Sequence, residues 1–316
     1  KELFHSNFIA WILETYPDEM GKFFSKVLNI EPIIGMISNV KREKHDIDIS
    51  FNLDDILVLI ENKVKSIAYK EQLDKYDKFY EKRNKKCILL SLKKPTFEKE
   101  NWQYLEYSVL LQQFEDIIKN NEYDEYHKYL IKDYIKFINI LLNDLLPIID
   151  IEKIQISKLY QKNTYENNLL DELTNLRMHD FFLKGVFEDM ANSLKNELEK
   201  KVINFQISNE KIADCNENTI SITFGMSRSQ GILDIKYKIR DFYIGIQIQG
   251  DQYRQFIEGP NVQDIPKISK ELLENKQWFQ FSNQLMKKQS LDIYPIGKEN
   301  KEFDEYFNKS YEIFSF

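Results

Sequence analysis

Five consecutive apolar residues, Ile56-Leu57-Val58-Leu59-Ile60, run straight into Glu61-Asn62-Lys63. An unbroken apolar run of this length, preceded by the turn-forming stretch 52–55, is the pattern of a strand buried on both faces within a covered sheet. Just before it, His45-Asp46-Ile47-Asp48-Ile49-Ser50-Phe51 alternates apolar Ile47, Ile49 and Phe51 with polar neighbours. Period-two alternation is the mark of a half-buried strand, and it places Asp46, Asp48 and Ser50 on one face.

On a strand, Glu61 and Lys63 project from the same face, and a hairpin partner carrying Asp48 sets a second carboxylate beside them. Like-charged carboxylates at the end of a buried strand repel and lose hydration, so they call for a cation. Two hard oxygen ligands with positions left open suit Mg²⁺ or Mn²⁺, which retains waters and takes up phosphate oxygens. Read singly, the residues also fit blander roles: a solvated strand end for Glu61 and Lys63, and an ordinary surface and core pair for Gln72 and Tyr76.

Taken together, Asp48, twelve intervening residues and then Glu61-Asn62-Lys63 resemble the motif of the PD-(D/E)XK nuclease superfamily, with Ile47-Asp48 where that motif has Pro-Asp. Gln72-Leu73-Asp74-Lys75-Tyr76 resembles the QxxxY element of its RecB-like branch, and the spacing of four puts Gln72 and Tyr76 on one helical face. An amphipathic helix opening at Phe8-Ile9-Ala10-Trp11 and a buried strand at Cys87-Ile88-Leu89-Leu90-Ser91-Leu92 complete the order of an αβββαβ, restriction-endonuclease-like core. Trp102 and Leu105-Glu106-Tyr107-Ser108 resemble the segment that follows this core in bacterial members.

The resemblance implies a metal-dependent hydrolase of phosphodiester bonds. Asp48, Glu61 and the main-chain carbonyl of Asn62 would hold one or two Mg²⁺ or Mn²⁺ ions, Lys63 would orient or deprotonate the attacking water, and the products would carry a 5′-phosphate and a 3′-hydroxyl. Gln72 and Tyr76 would hold the geometry or touch the nucleic-acid backbone. Glu14, one turn after Trp11, and Glu43, in Lys41-Arg42-Glu43-Lys44, are candidate supporting carboxylates that also read as exposed acids. The implied partner is DNA, with RNA as the alternative, in a bacterial defence, restriction or mobile-element setting. The competing reading is a non-catalytic nucleic-acid- or protein-binding subunit that retains the nuclease fold.

A net charge of −7 argues against an indiscriminate polyanion binder. Charge is uneven, however: residues 61–94 hold eleven Lys and Arg against five Asp and Glu, an excess of six positive charges around the proposed site. Lys65, Lys82 and Arg83 are the candidate nucleic-acid contacts, and the cations near 82–86 equally serve as helix C-terminal caps. Cys87 and Cys215 lie in unrelated segments, no apolar run reaches membrane-spanning length, and Lys1-Glu2-Leu3 shows no signal or lipidation motif, so a reducing cytoplasm is expected. Four scattered histidines and nine glycines offer neither zinc spacing nor a phosphate-cradling loop.

With 316 residues the chain has room for more than one domain. The expected layout is an α/β (α+β) chain: a nuclease domain over 1–120, a helical bridging region over 121–200, and an α+β C-terminal domain over 201–316 with antiparallel strands, through which a protein partner or a second copy would bind. Helical spacing runs from Asp124 to Leu146 and from Tyr165 to Lys200; strands are expected at 203–207, 219–224, 232–239 and 242–248, and a helix at 262–275. Asp234 precedes Gln247-Ile248-Gln249 by the same 13 positions that separate Asp48 from Glu61. Either this half is a degenerate nuclease-like unit without metal chemistry, or it is an unrelated sheet whose hairpin spacing coincides.

Overall fold

The computed structural model describes residues 3–31, 35–81, 83–119, 124–149, 154, 156–200, 205–208, 220–227, 229–239, 242–250 and 252–258. The chain divides into two compact units, Lys1–Ile148 and Ile149–Phe316.

The first unit opens with α1 (Leu3–Thr15) and α2 (Pro17–Val27). Proline at the first position of α2, Asp18 and Glu19 in its first turn and Lys26 in its last all agree with the helix dipole. A five-stranded sheet follows in sequence order: β1 (Ile37–Lys44), β2 (Ile47–Leu53), β3 (Ile56–Lys63), β4 (Lys85–Ser91) and β5 (Trp102–Glu106). The first three form an antiparallel meander, and β4 and β5 add on in parallel. The parallel step from β3 to β4 needs a crossover, supplied by α3 (Lys70–Phe79). Helices α4 (Tyr107–Lys119) and α5 (Glu125–Ile140) close the unit, and the Asp124 side chain caps α5 through the N–H groups of Tyr126 and His127. This is the expected mixed α/β, restriction-endonuclease-like arrangement.

Burial follows the alternation read from the sequence. Val58, Leu59 and Ile60 are wholly buried, as are Ile47, Ile49 and Phe51. Leu73 and Tyr76 of α3 pack with Leu59, Cys87, Leu89 and Trp102 on one face of the sheet. Phe24 of α2 meets Phe51 on the other face, where Phe8 of α1 stacks on Tyr134 of α5 at 4.0 Å. The β1–β2 connection corrects one expectation. His45 and Asp46 form a two-residue turn with φ of +56° and +68°, so the strand starts at Ile47 and Asp46 leaves the face of Asp48.

In the second unit a short helix, α6 (Ile156–Leu159), precedes α7 (Tyr165–Asn175) and α8 (His179–Leu198). The single long helix expected over 165–200 is broken because Arg177 takes a left-handed φ of +56°, while the N–H of Met178 reaches back to the carbonyl of Leu173. The helices expected to bridge two halves are thus shared out, α5 to the first unit and α7 and α8 to the second. A second five-stranded sheet comprises β6 (Phe205–Ser208), β7 (Ile220–Ser227), β8 (Gln230–Ile239), β9 (Phe242–Gln249) and β10 (Gln252–Glu258). Strand β6 pairs in parallel with β7, and the remaining pairings are antiparallel. Gly250, at φ +60°, makes the tight turn into β10, a strand the sequence reading did not include. The buried face of α8, with Phe182, Val186, Phe187 and Leu194, packs on β7 and β8. The helix expected at 262–275 and Cys215 lie outside the described residues.

Candidate active site

The strand end that carries the charge is buried: Glu61 is 1% exposed, Asn62 0% and Lys63 7%. Strand alternation turns Glu61 and Lys63 toward α3 and Asn62 toward α1, and the hydrogen bonds follow. Gln72 on α3 donates from Nε2 to Glu61 Oε1 at 2.8 Å, whereas Asn62 Nδ2 donates to Ser6 Oγ on α1 at 3.1 Å.

Glu61 Oε1 also receives Lys63 Nζ at 2.7 Å. Its other oxygen, Oε2, is buried and has no hydrogen-bond partner among the described residues. Burial raises the Glu61 pKa to about 7, opposed by the Lys63 charge and reinforced by that of Asp48. The β2–β3 register, one step past the Ile49–Ile60 pair, sets Asp48 opposite Glu61. Asp48 is half-buried, and its Oδ2 accepts the backbone N–H of Asn62 at 2.7 Å.

Gln72 and Tyr76 form a strut across this site. The Tyr76 hydroxyl accepts from Gln72 Nε2 at 3.0 Å and donates to the Asp46 carbonyl at 2.8 Å, tying α3 to the β1–β2 turn. Burial, and then the Glu61 charge, hold the Tyr76 phenol far above its ordinary pKa, so it stays a neutral donor. Lys75 reinforces the tie with an ion pair to Asp46 at 2.7 Å.

A buried carboxylate oxygen with no donor is costly unless a cation meets it. Asp48, Glu61 and the Asn62 carbonyl therefore fit a divalent ion. Among the described residues no three His, Cys, Asp or Glu side chains converge, and so small a donor set suits a hard ion that keeps several of its waters.

The remaining candidates are placed unequally. Glu14 is exposed on α1, whose Ser6 meets Asn62 on the far face of the sheet from Glu61. Glu43 falls opposite Asp48 by register, between the Arg42–Ile49 and Lys44–Ile47 pairs, but its φ is +49° and its side chain is exposed. Lys65 follows the site strand and is partly buried, near enough to His5 to act on its titration. Arg83 is exposed and clusters with Lys41 and Lys44, since the like charge of Lys41, and to a smaller degree that of Arg83, lowers the Lys44 pKa. Lys82 lies outside the described residues.

One feature of the site has no counterpart in the sequence reading. Behind Asn62 a row of buried polar groups runs through the helical layer: Tyr107 donates its hydroxyl to Asn62 Oδ1, Tyr134 lies near Tyr107, and the Tyr134 hydroxyl meets His5 Nδ1 at 3.3 Å. Burial, helped by the Lys65 charge, lowers the His5 pKa to about 4, which keeps the ring neutral. The signals available were an amide between Glu61 and Lys63 and a tyrosine just after Glu106, each unremarkable alone.

Comparison with protein-family models matches residues 1–136 to the PD-(D/E)XK nuclease superfamily. Over these residues the chain is similar to that superfamily. PD-(D/E)XK proteins are nucleases and generally use divalent metal ions, in agreement with the unpartnered oxygen of Glu61. No curated protein and no solved structure matches the chain. Among the described residues no helix is long and apolar enough to cross a membrane.

Proposed function

We propose that the chain is a Mg²⁺- or Mn²⁺-dependent deoxyribonuclease of the RecB-like branch, with Asp48, Glu61 and Lys63 as its catalytic residues. The observation that carries this reading is the buried Oε2 of Glu61, which has no hydrogen-bond partner among the described residues and is set opposite Asp48 and beside Lys63. Asp48, Glu61 and the Asn62 carbonyl would hold the ion, which when bound supplies Lewis-acid stabilisation of phosphate charge and lowers the pKa of water. Lys63 orients or deprotonates the attacking water and offsets charge on the scissile phosphate. In-line attack then leaves a 5′-phosphate and a 3′-hydroxyl.

Gln72 and Tyr76 act as positioning residues, because their hydrogen bonds are directed at Glu61 and the β1–β2 turn. The cations at Lys41, Lys44 and Arg83 suit the phosphate backbone flanking the scissile bond, and Lys65 would add to them. A place in bacterial defence or in mobile elements is consistent with such an enzyme, and the second unit would select substrate or partner.

The test is cleavage of labelled linear, circular and single-stranded DNA, with an RNA control, in Mg²⁺, in Mn²⁺ and in EDTA. Wild type should cut in either metal and not in EDTA. Glu61→Ala and Lys63→Ala should each lose at least about a hundredfold in rate, as expected for removal of a group acting in the transition state. Full activity in both variants would sink this assignment, and absence of wild-type cutting of any substrate would favour the binding-subunit reading.

A further inference from the structure

The sheet face that bears Glu61 continues over two more strands. Glu61 on β3 pairs with Leu89 on β4, and Leu89 pairs with Tyr104 on β5. Residues paired across a sheet share a face, and strands lie about 4.8 Å apart, which puts Tyr104 about 10 Å from Glu61 along this row. Where the row reaches β4 and β5, the sheet, α3 and the loop over 94–100 surround a cavity of about 610 Å³. That volume lies within the roughly 300–1,000 Å³ of small-molecule sites.

The lining is aromatic and apolar. Leu73 and Leu89 border the cavity on the side nearest Gln72 and Glu61, and Phe97, Trp102 and Tyr104 supply three rings. Tyr104 and Phe97 are only partly buried. Charges around the cavity cancel, with Lys94 and Lys99 against Glu98 and Glu100, and Lys99 is further held by Asp74 at 2.7 Å and Asp77 at 3.0 Å. A phosphate finds no net positive charge there. A flat, uncharged heterocycle finds ring faces to stack on, and every base offers one.

We propose that this cavity takes a nucleobase of the DNA strand whose phosphate lies at Asp48, Glu61 and Lys63. The inference rests on the nuclease reading above and narrows it. A base enters such a cavity only when it is out of the helical stack, so the substrate presents an unstacked nucleotide next to the scissile phosphate: a single strand, a frayed end or a flipped base. An intact, fully stacked duplex would leave the cavity empty and be cut poorly.

The experiment uses a short labelled single-stranded DNA in which one abasic nucleotide is moved along the strand. Binding to wild type and to Phe97→Ala is read by fluorescence anisotropy in EDTA, and cleavage of the same strands by wild type is read in Mn²⁺. The abasic change at one position should weaken wild-type binding about 5- to 150-fold, the range of one base–aromatic stack. Phe97→Ala should bind the intact strand more weakly and no longer distinguish that position. Because the abasic series changes only the DNA, its outcome stands even if Phe97→Ala folds poorly. A wild-type profile flat to within about twofold, below any stacking contribution, overturns the base site, as does failure to bind the intact strand. Cutting with a flat profile removes the base site and leaves the nuclease reading; a position-specific profile without cutting does the reverse.

Discussion

Glu61 shows what a single position contributes and what it demands. Its carboxyl is desolvated and its pKa is lifted from 4.5 to about 7, so the folded protein holds that proton more tightly than the unfolded chain. The stability this provides is complete below about pH 4.5 and is lost as pH rises through about 7. A divalent ion replaces the proton, so metal should stabilise the fold above about pH 7 and compete with protons below it. Saturating Mn²⁺ should therefore raise the melting temperature markedly at about pH 8 and little at about pH 5.5, two sides of the shifted titration. Glu61→Gln should abolish the difference, and an equal shift at both pH values would count against Glu61 as the ligand. Asp48, Glu61, Lys63, Gln72 and Tyr76 could all be picked out from the sequence, because their spacing is tied to strand and helix periods. Asp46 could not be placed, because its fate hangs on a turn whose positive φ values no glycine announces.

At the scale of elements, β3 is clamped from both faces. On the α3 side Gln72 and Lys63 hold Glu61; on the other side Ser6 and Tyr107 hold the Asn62 amide. The Asn62 N–H, in turn, holds Asp48. Removing the Tyr107 hydroxyl leaves the side-chain oxygen Oδ1 of Asn62 as a buried acceptor short of a donor, which typically costs about 1–3 kcal/mol. Tyr107→Phe should lower the urea-unfolding free energy of the first unit by that amount, and a change below about 0.5 kcal/mol would show that water or a relaxed neighbour satisfies the amide. Sequence periodicity identified β2, β3, α3 and β4 because each has one dominant face. It missed the break between α7 and α8, since Leu176-Arg177-Met178 holds neither glycine nor proline and Arg177 adopts its left-handed φ to close a cap.

Across the whole molecule, each unit sets a helix against the first two strands of a three-stranded antiparallel meander: α1 on β1 and β2 of β1–β2–β3, and α8 on β7 and β8 of β7–β8–β9. Asp234 and Gln247 are paired in the β8–β9 register just as Asp48 and Glu61 face each other in β2–β3. There Gln247 Nε2 donates to Asp234 Oδ1 at 2.8 Å, so an amide meets the need that a cation would meet in the first unit. Beyond β9 the likeness stops, because a turn leads to antiparallel β10 where the first unit has a helix and a parallel strand. If the second meander is a nuclease-like frame without metal chemistry, Gln247→Glu should destabilise the metal-free protein and add one Mn²⁺ per chain, read by electron paramagnetic resonance titration. Unchanged Mn²⁺ stoichiometry would mark the 13-residue spacing as coincidence. By itself the sequence determined the strand that ends in Glu61-Asn62-Lys63, its partner with Asp48, the helix with Gln72 and Tyr76, and hence the likeness of residues 1–136 to the superfamily, because these depend on local period and residue type. Only the tertiary structure decided that Glu61 Oε2 lies buried with no donor among the described residues, that Glu14 and Glu43 stay exposed, and that Phe97, Trp102 and Tyr104 gather around one cavity. Those outcomes depend on which faces of distant segments meet, and no local pattern records that.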